Sequence, residues 1–130
     1  KNMPTDEWWE GHRDLLTALG KTWETRDEAA KMDSPGSDRS GKAKSDGTKW
    51  KVWEDYVAGT EPLFDKTFSV TSFTYEDGTI DVTWDPDLKD ERTYTILGAE
   101  TPGAAADGWT PVSKTPDAKY RFFKVKVEMK

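Results

Sequence analysis

Cysteine is absent from the 130 residues. Disulfides, thiolate nucleophiles and thiolate metal sites are thereby excluded, and cysteine usage says nothing of the redox compartment. Histidine is almost absent: His12 stands alone, and a catalytic triad or a His-based zinc site needs more partners than the sequence sets around it. No P-loop or glycine-rich nucleotide fingerprint occurs. Long apolar runs are missing as well. None approaches the roughly 20 residues of a membrane helix, and no signal peptide is visible. The chain begins at Lys1 rather than Met, as expected of a processed protein or an excised fragment. Positive charge is in deficit, with 19 Lys and Arg against 25 Asp and Glu and a net charge of −6. That balance argues against a nucleic-acid partner, which needs clustered cations. The best basic runs are Lys42/Lys44/Lys49/Lys51 and Lys119/Arg121/Lys124/Lys126. Carboxylates interleave them or they ride a strand edge, so both read as solvated faces.

What is present in excess is aromatic. Hydrophobic residues make up only 34% of the chain, but seven Trp, five Phe and four Tyr supply bulky core material, enough for a modest core.

The first third reads as helical. In "PTDEWWEGHRDLLTALG", Thr5 or Asp6 caps the start, and Trp8, His12, Leu15 and Leu19 recur at helical spacing. Gly20 supplies the left-handed stop. Thr25 with Glu28 three residues on suggests a capping box for a second, shorter helix. Residues 33–48 are dominated by Ser, Gly, Asp and Lys and read as a mobile loop. A third helix is expected over about residues 49–58, with Trp50, Trp53 and Val57 on one face and Tyr56 beside them. Gly59 ends it and Pro62 prevents its continuation.

From Phe64 the period changes to two. "FSVTSFTYEDGTIDVTW" reads as a hairpin turning at Asp77-Gly78, with Ile80, Val82 and Trp84 on one face. "RTYTILGAE" and "WTPVS" supply a third and a fourth strand, Pro111 marking an edge. "YRFFKVKVEM" supplies the fifth, with Phe123, Val125, Val127 and Met129 facing one way and Lys124, Lys126 and Glu128 the other. The expected class is α+β: a helical segment over 1–62 packed on a small antiparallel sandwich or sheet of about five strands over 63–130.

The strands "FSVTSFT", "GTIDVTW", "RTYTI", "WTPV" and "YRFFKVKVEM" together resemble the fibronectin- or immunoglobulin-like accessory modules that end large secreted bacterial proteins. The preceding "DGTKWKVWEDYVAGTEP" is similar to a thrombospondin type 3 or dockerin-like segment. Trp53, Tyr56, Gly59, Thr60 and Pro62 match its W-x-x-Y-x-x-G-T-D-P form, with Glu61 at the acidic position. The resemblance implies a non-catalytic accessory module, secreted or on the cell surface, carried by a parent multidomain protein.

The calcium loop of that segment is degenerate. An EF-hand-like loop needs oxygen ligands at positions 1, 3, 5, 9 and 12 and Gly at 6. With Asp55 last, the ligand positions hold Lys44, Asp46, Thr48, Val52 and Asp55, and position 6 holds Lys49. A cation stands where the first carboxylate belongs, so a metal-free connector is expected, with no cofactor.

Two chemistries remain. Asp81, Asp85, Asp87, Asp90 and Glu91 cluster, and paired carboxylates serve glycoside hydrolysis. Turns, however, prefer Asp for their own hydrogen bonds, so no enzyme is expected, and a hydrolase using Asp85 or Asp87 ranks last. Aromatic faces stack on sugar rings. Trp8, Trp50, Trp53 and Trp84 fall on apolar stripes and read as core. Trp9, Trp23 and Trp109 lie off those stripes and, with Tyr120, are the expected platform for a polysaccharide. The alternative is a structural, anchoring or protein-interaction module whose aromatics are all buried.

Overall fold

The computed structural model describes residues 2–38, 44, 47–64 and 66–130. The chain mixes helix and strand, with two small antiparallel sheets of two and three strands. It divides into two compact units, Lys1–Phe68 with Met129 and Ser69–Glu128 with Lys130.

The first unit is built from four short helices: α1 (Asp6–Glu10), α2 (Arg13–Ala18), α3 (Arg26–Ala30) and α4 (Val52–Ala58). Thr5 caps α1, its hydroxyl accepting the Trp8 N–H at 3.2 Å. The helix expected to run on to Gly20 breaks at Gly11-His12 instead. His12 turns its ring back: Nδ1–H donates to the Trp8 carbonyl at 2.7 Å, and the imidazole stacks on the Trp8 indole with centroids 3.8 Å apart. The carbonyl that a continuing helix would give to the His12 backbone N–H is thus taken by its ring. Gly20 has φ +68° and closes α2 as expected. The capping box lies one turn earlier than the spacing suggested. Thr22 and Thr25 exchange the bonds around the short 3-10 turn Trp23–Thr25, and Thr25 gives α3 no side-chain cap.

The break resets the helical phase. Trp9, Leu15, Leu16, Ala29, Ala30 and Val52 form the buried core of this unit, and Trp53 packs against it from α4. The buried positions of α4 are Val52, Asp55, Tyr56, Val57 and Ala58. The stripe read as Trp50–Trp53–Val57 is therefore rotated toward Val52 and Tyr56. Segment 32–36 is tied down. Asp33 and Lys51 bridge in antiparallel fashion, Ser34 N–H donates to the Trp50 carbonyl, and Val52 N–H donates to that of Met32. Residues 39–43, 45 and 46 of the stretch read as a loop lie outside the described residues.

The second unit contains the hairpin β1 (Ser69–Glu76)–β2 (Thr79–Asp85) and the sheet β4 (Thr110–Pro111)–β3 (Arg92–Ala99)–β5 (Phe122–Met129). The hairpin turns at Asp77 (φ +53°) and Gly78 (φ +76°), the paired positive φ of a tight turn that matches strand twist. A bulge falls between Val70 and Ser72. It explains the spacing of Val70, Phe73 and Tyr75, which strict alternation would put on opposite faces. With one residue extra, they pair with Trp84, Val82 and Ile80 and share one face. On the other face Thr71 and Ser72 both hydrogen-bond the Thr83 hydroxyl at 2.7 Å. The apolar face meets the sheet. Phe123 stacks on Phe73 and takes Tyr75 edge-on, each at 5.5 Å, and Trp84 lies 4.7 Å from Tyr94. Short β4 is an edge strand, as Pro111 requires.

Candidate functional site

Among the described residues, the stretch from Lys44 to Pro62 carries several polar contacts that cross the first unit. Lys44 Nζ donates to both carboxylate oxygens of Glu54, at 2.8 and 3.0 Å, and the Lys51 backbone N–H donates to the same carboxylate at 3.0 Å. The residue at position 1 of a calcium loop thus carries its own cation to the start of α4. At the far end Gly59, with φ +84°, turns the chain so that its N–H and that of Thr60 both reach the Asp55 carbonyl. The Thr60 hydroxyl then donates to Asp55 Oδ1 at 2.5 Å. Asp55, at position 12 of that degenerate loop, is fully buried and bonded to this turn. Glu61 reaches His12 Nε2 at 2.8 Å. The Pro62 carbonyl accepts from the Ser34 hydroxyl at 2.6 Å and from the Gly36 N–H at 2.7 Å. No side chain fits at position 36, because a Cβ there would lie 2.0 Å from the Phe64 carbonyl oxygen. Lys51 also pairs with Asp33, whose carboxyl is held below its ordinary value chiefly by that hydrogen bond. Asp46 of the proposed loop lies outside the described residues. Among the described residues no group of three or more His, Asp or Glu could hold a metal ion.

The four aromatics expected to form one platform fall in four different environments. Trp9 is fully buried in the core of the first unit, so it has no face to offer a sugar; that expectation is corrected. The off-stripe position that suggested exposure is an inward position once the helix breaks at Gly11. Trp23 is half-buried, with the guanidinium groups of Arg13 and Arg26 over its ring at 4.4 and 4.5 Å. Arg13 and Arg26 are themselves paired with Glu10 and Asp6. Cations rather than open solvent cover this indole.

Tyr120 and Trp109 belong to opposite faces of the three-stranded sheet. A Cβ on Gly98 would meet Val112 at 3.1 Å and the Tyr120 ring at 3.2 Å, so Tyr120 packs on the Gly98 face. Gly98 pairs with Thr110, which sets Trp109 opposite Ala99, one step on and hence on the other side. Trp109 is half-buried. Its Nε1–H donates to the Ala104 carbonyl at 3.2 Å, which fixes the ring, and Lys124 Nζ sits 4.3 Å from the ring centroid. On β5, Phe122, Lys124, Lys126 and Glu128 form the exposed row, while Phe123, Val125, Val127 and Met129 are half-buried. The indole of Trp109 therefore stands beside the outward row of β5, where Phe122 is 37% exposed.

Of the carboxylates around β2, Asp87 serves the turn that follows it. Asp87 accepts the Lys89 N–H at 2.9 Å, and that bond is the main cause of its lowered pKa. A cavity of about 120 Å³ opens among Phe73, Val82, Ile96, Phe123 and Val125. It is well below the roughly 300–1,000 Å³ of small-molecule pockets. Among the described residues no helix is long and apolar enough to cross a membrane.

Comparison with protein-family models, with curated proteins and with solved structures finds no match for this chain.

Proposed function

We propose that the chain is a non-catalytic accessory module of a secreted or cell-surface bacterial protein. Its β-module binds polysaccharide through one face of the three-stranded sheet. In this reading the two small sheets are the halves of a fibronectin-like sandwich, closed over Phe73, Tyr75 and Phe123. The observation that carries the binding role is Trp109. Of the four aromatics first considered, it is the one whose ring lies beside an exposed strand face, held by its own N–H and with exposed Lys124 over it. A flat aromatic of this kind covers the C–H face of a pyranose without needing a deep pocket.

A second reading has its own observation. The contacts of Asp55, Thr60, Glu61 and Pro62 build a polar hub suited to a structural or anchoring module with no glycan ligand. Affinity electrophoresis of the whole chain on a panel of neutral and acidic polysaccharides separates the two. The binding role expects retardation that Trp109→Ala abolishes while the circular dichroism spectrum is kept. Free migration on every glycan leaves the anchoring role.

A further inference from the structure

Three cations of the second unit stand apart from those paired elsewhere in the chain. In the first unit, Arg13, Lys21, Arg26, Lys44 and Lys51 each meet a carboxylate. In the second, Lys119, Arg121 and Lys124 have no carboxylate partner among the described residues. They fall within six residues at the start of β5, in a chain of net charge −6. Lys124 lies 4.3 Å from the Trp109 centroid, whereas Lys119 lies 5.2 Å from that of Tyr120, on the opposite face. Lys126, next along the outward row, is spent on Glu128 at 3.4 Å.

We infer that the ligand of the Trp109 face is an acidic polysaccharide, one whose sugar rings carry carboxylates; this rests on the glycan-binding reading above. The chemistry follows from the placement. The indole supplies a stacking surface for a pyranose ring. Lys124, exposed and held over that indole, has donors left for a carboxylate on the same or the next sugar. A neutral glycan would leave Lys124 without a role. A nucleic acid would bring about one negative charge per 1.7 Å against a protein that is itself negative, whereas a uronate polymer presents its charges one per sugar.

The test uses the whole chain and a single polymer backbone in two states: polygalacturonate, and the same polymer methyl-esterified to remove its charge. Calorimetry or affinity electrophoresis is expected to show the acid form binding at least about tenfold more tightly than the ester. That preference should shrink as salt rises. Lys124→Glu should remove the preference while leaving residual ester binding, Trp109→Ala should lower binding of both forms, and Lys31→Glu on the first unit should change neither. Equal binding of the two forms overturns the acidic-ligand inference and leaves the glycan reading standing. Binding of neither form overturns the acidic-ligand inference, and free migration on the whole polysaccharide panel overturns the glycan reading with it. Binding of a single-stranded oligonucleotide more tightly than polygalacturonate also overturns it.

Discussion

The first unit spends its special residues inward, whereas the second leaves them on the surface. Trp9 is buried, and Trp8 is wedged among Trp9, His12 and Tyr56. Charges there meet opposite charges, and turns meet carbonyls. In the second unit β1 is exposed along its whole length, Val70, Phe73 and Phe122 stand partly in solvent, and Lys119, Arg121 and Lys124 meet no carboxylate among the described residues. A group whose bonds are all internal holds a fold together, and a group with bonding capacity left over can hold something else. That difference is what the proposed reading builds on, with the first unit as support and one face of the second as the binding surface.

The largest expected effect tests the two tryptophans against each other. Trp9→Ala should cost about 3–5 kcal/mol in denaturant unfolding, as for other large core truncations. Trp109→Ala should cost under about 1.5 kcal/mol, as for a half-exposed site. Similar losses at the two positions would erase the contrast. Glycines give the next comparison. A Cβ at Gly36 would drive into the backbone of Phe64, whereas one at Gly103 meets nothing within 4 Å. Gly36→Ala is expected to destabilise by about 3 kcal/mol and Gly103→Ala by less than about 0.5 kcal/mol, read from thermal or urea midpoints.

The smallest effect concerns pH. Asp33 has a depressed pKa in the folded chain, caused first by its hydrogen bond to Lys51. Its contribution to stability is therefore present above the carboxyl's unfolded value and lost as pH falls through the folded one. The pair is about half exposed, so the contribution is under about 1 kcal/mol and shrinks in salt. Urea midpoints measured across the acid range should fall less steeply for Asp33→Asn than for the parent chain. Parallel curves would remove this ion pair from the account.

Much of the second unit could be read from the sequence because strand signals are local. Asp77-Gly78 fixed the hairpin, Pro111 marked an edge, and the alternation from Phe122 to Met129 separated the two faces of β5. The bulge went unread, although the three-residue step from Val70 to Phe73 breaks the period of two. The first unit was harder. Its decisive event, the break at Gly11-His12, depends on a histidine ring capturing a carbonyl, and helical spacing carries no sign of that. With the phase reset, Trp9 joined Leu15 and Leu16 in the core. The role of Asp55 was hidden in a similar way. Its partner Thr60 lies beyond the left-handed turn at Gly59, so a carboxylate that looked like a metal ligand serves as the receptor of a helix stop. Trp109 and Tyr120 were both candidates by composition; only the pairing of Gly98 with Thr110 shows that they face opposite ways.

The central claim about residues 44–62 is that they fasten the first unit with bonds of their own, Lys44 bringing the cation and Asp55 engaged by Thr60. Thermal unfolding of the whole chain, in chelator and again in millimolar calcium, tests this most directly. A bound metal would raise the midpoint by mass action. The account predicts superimposable transitions; a calcium-dependent rise that Asp55→Asn removes would contradict it.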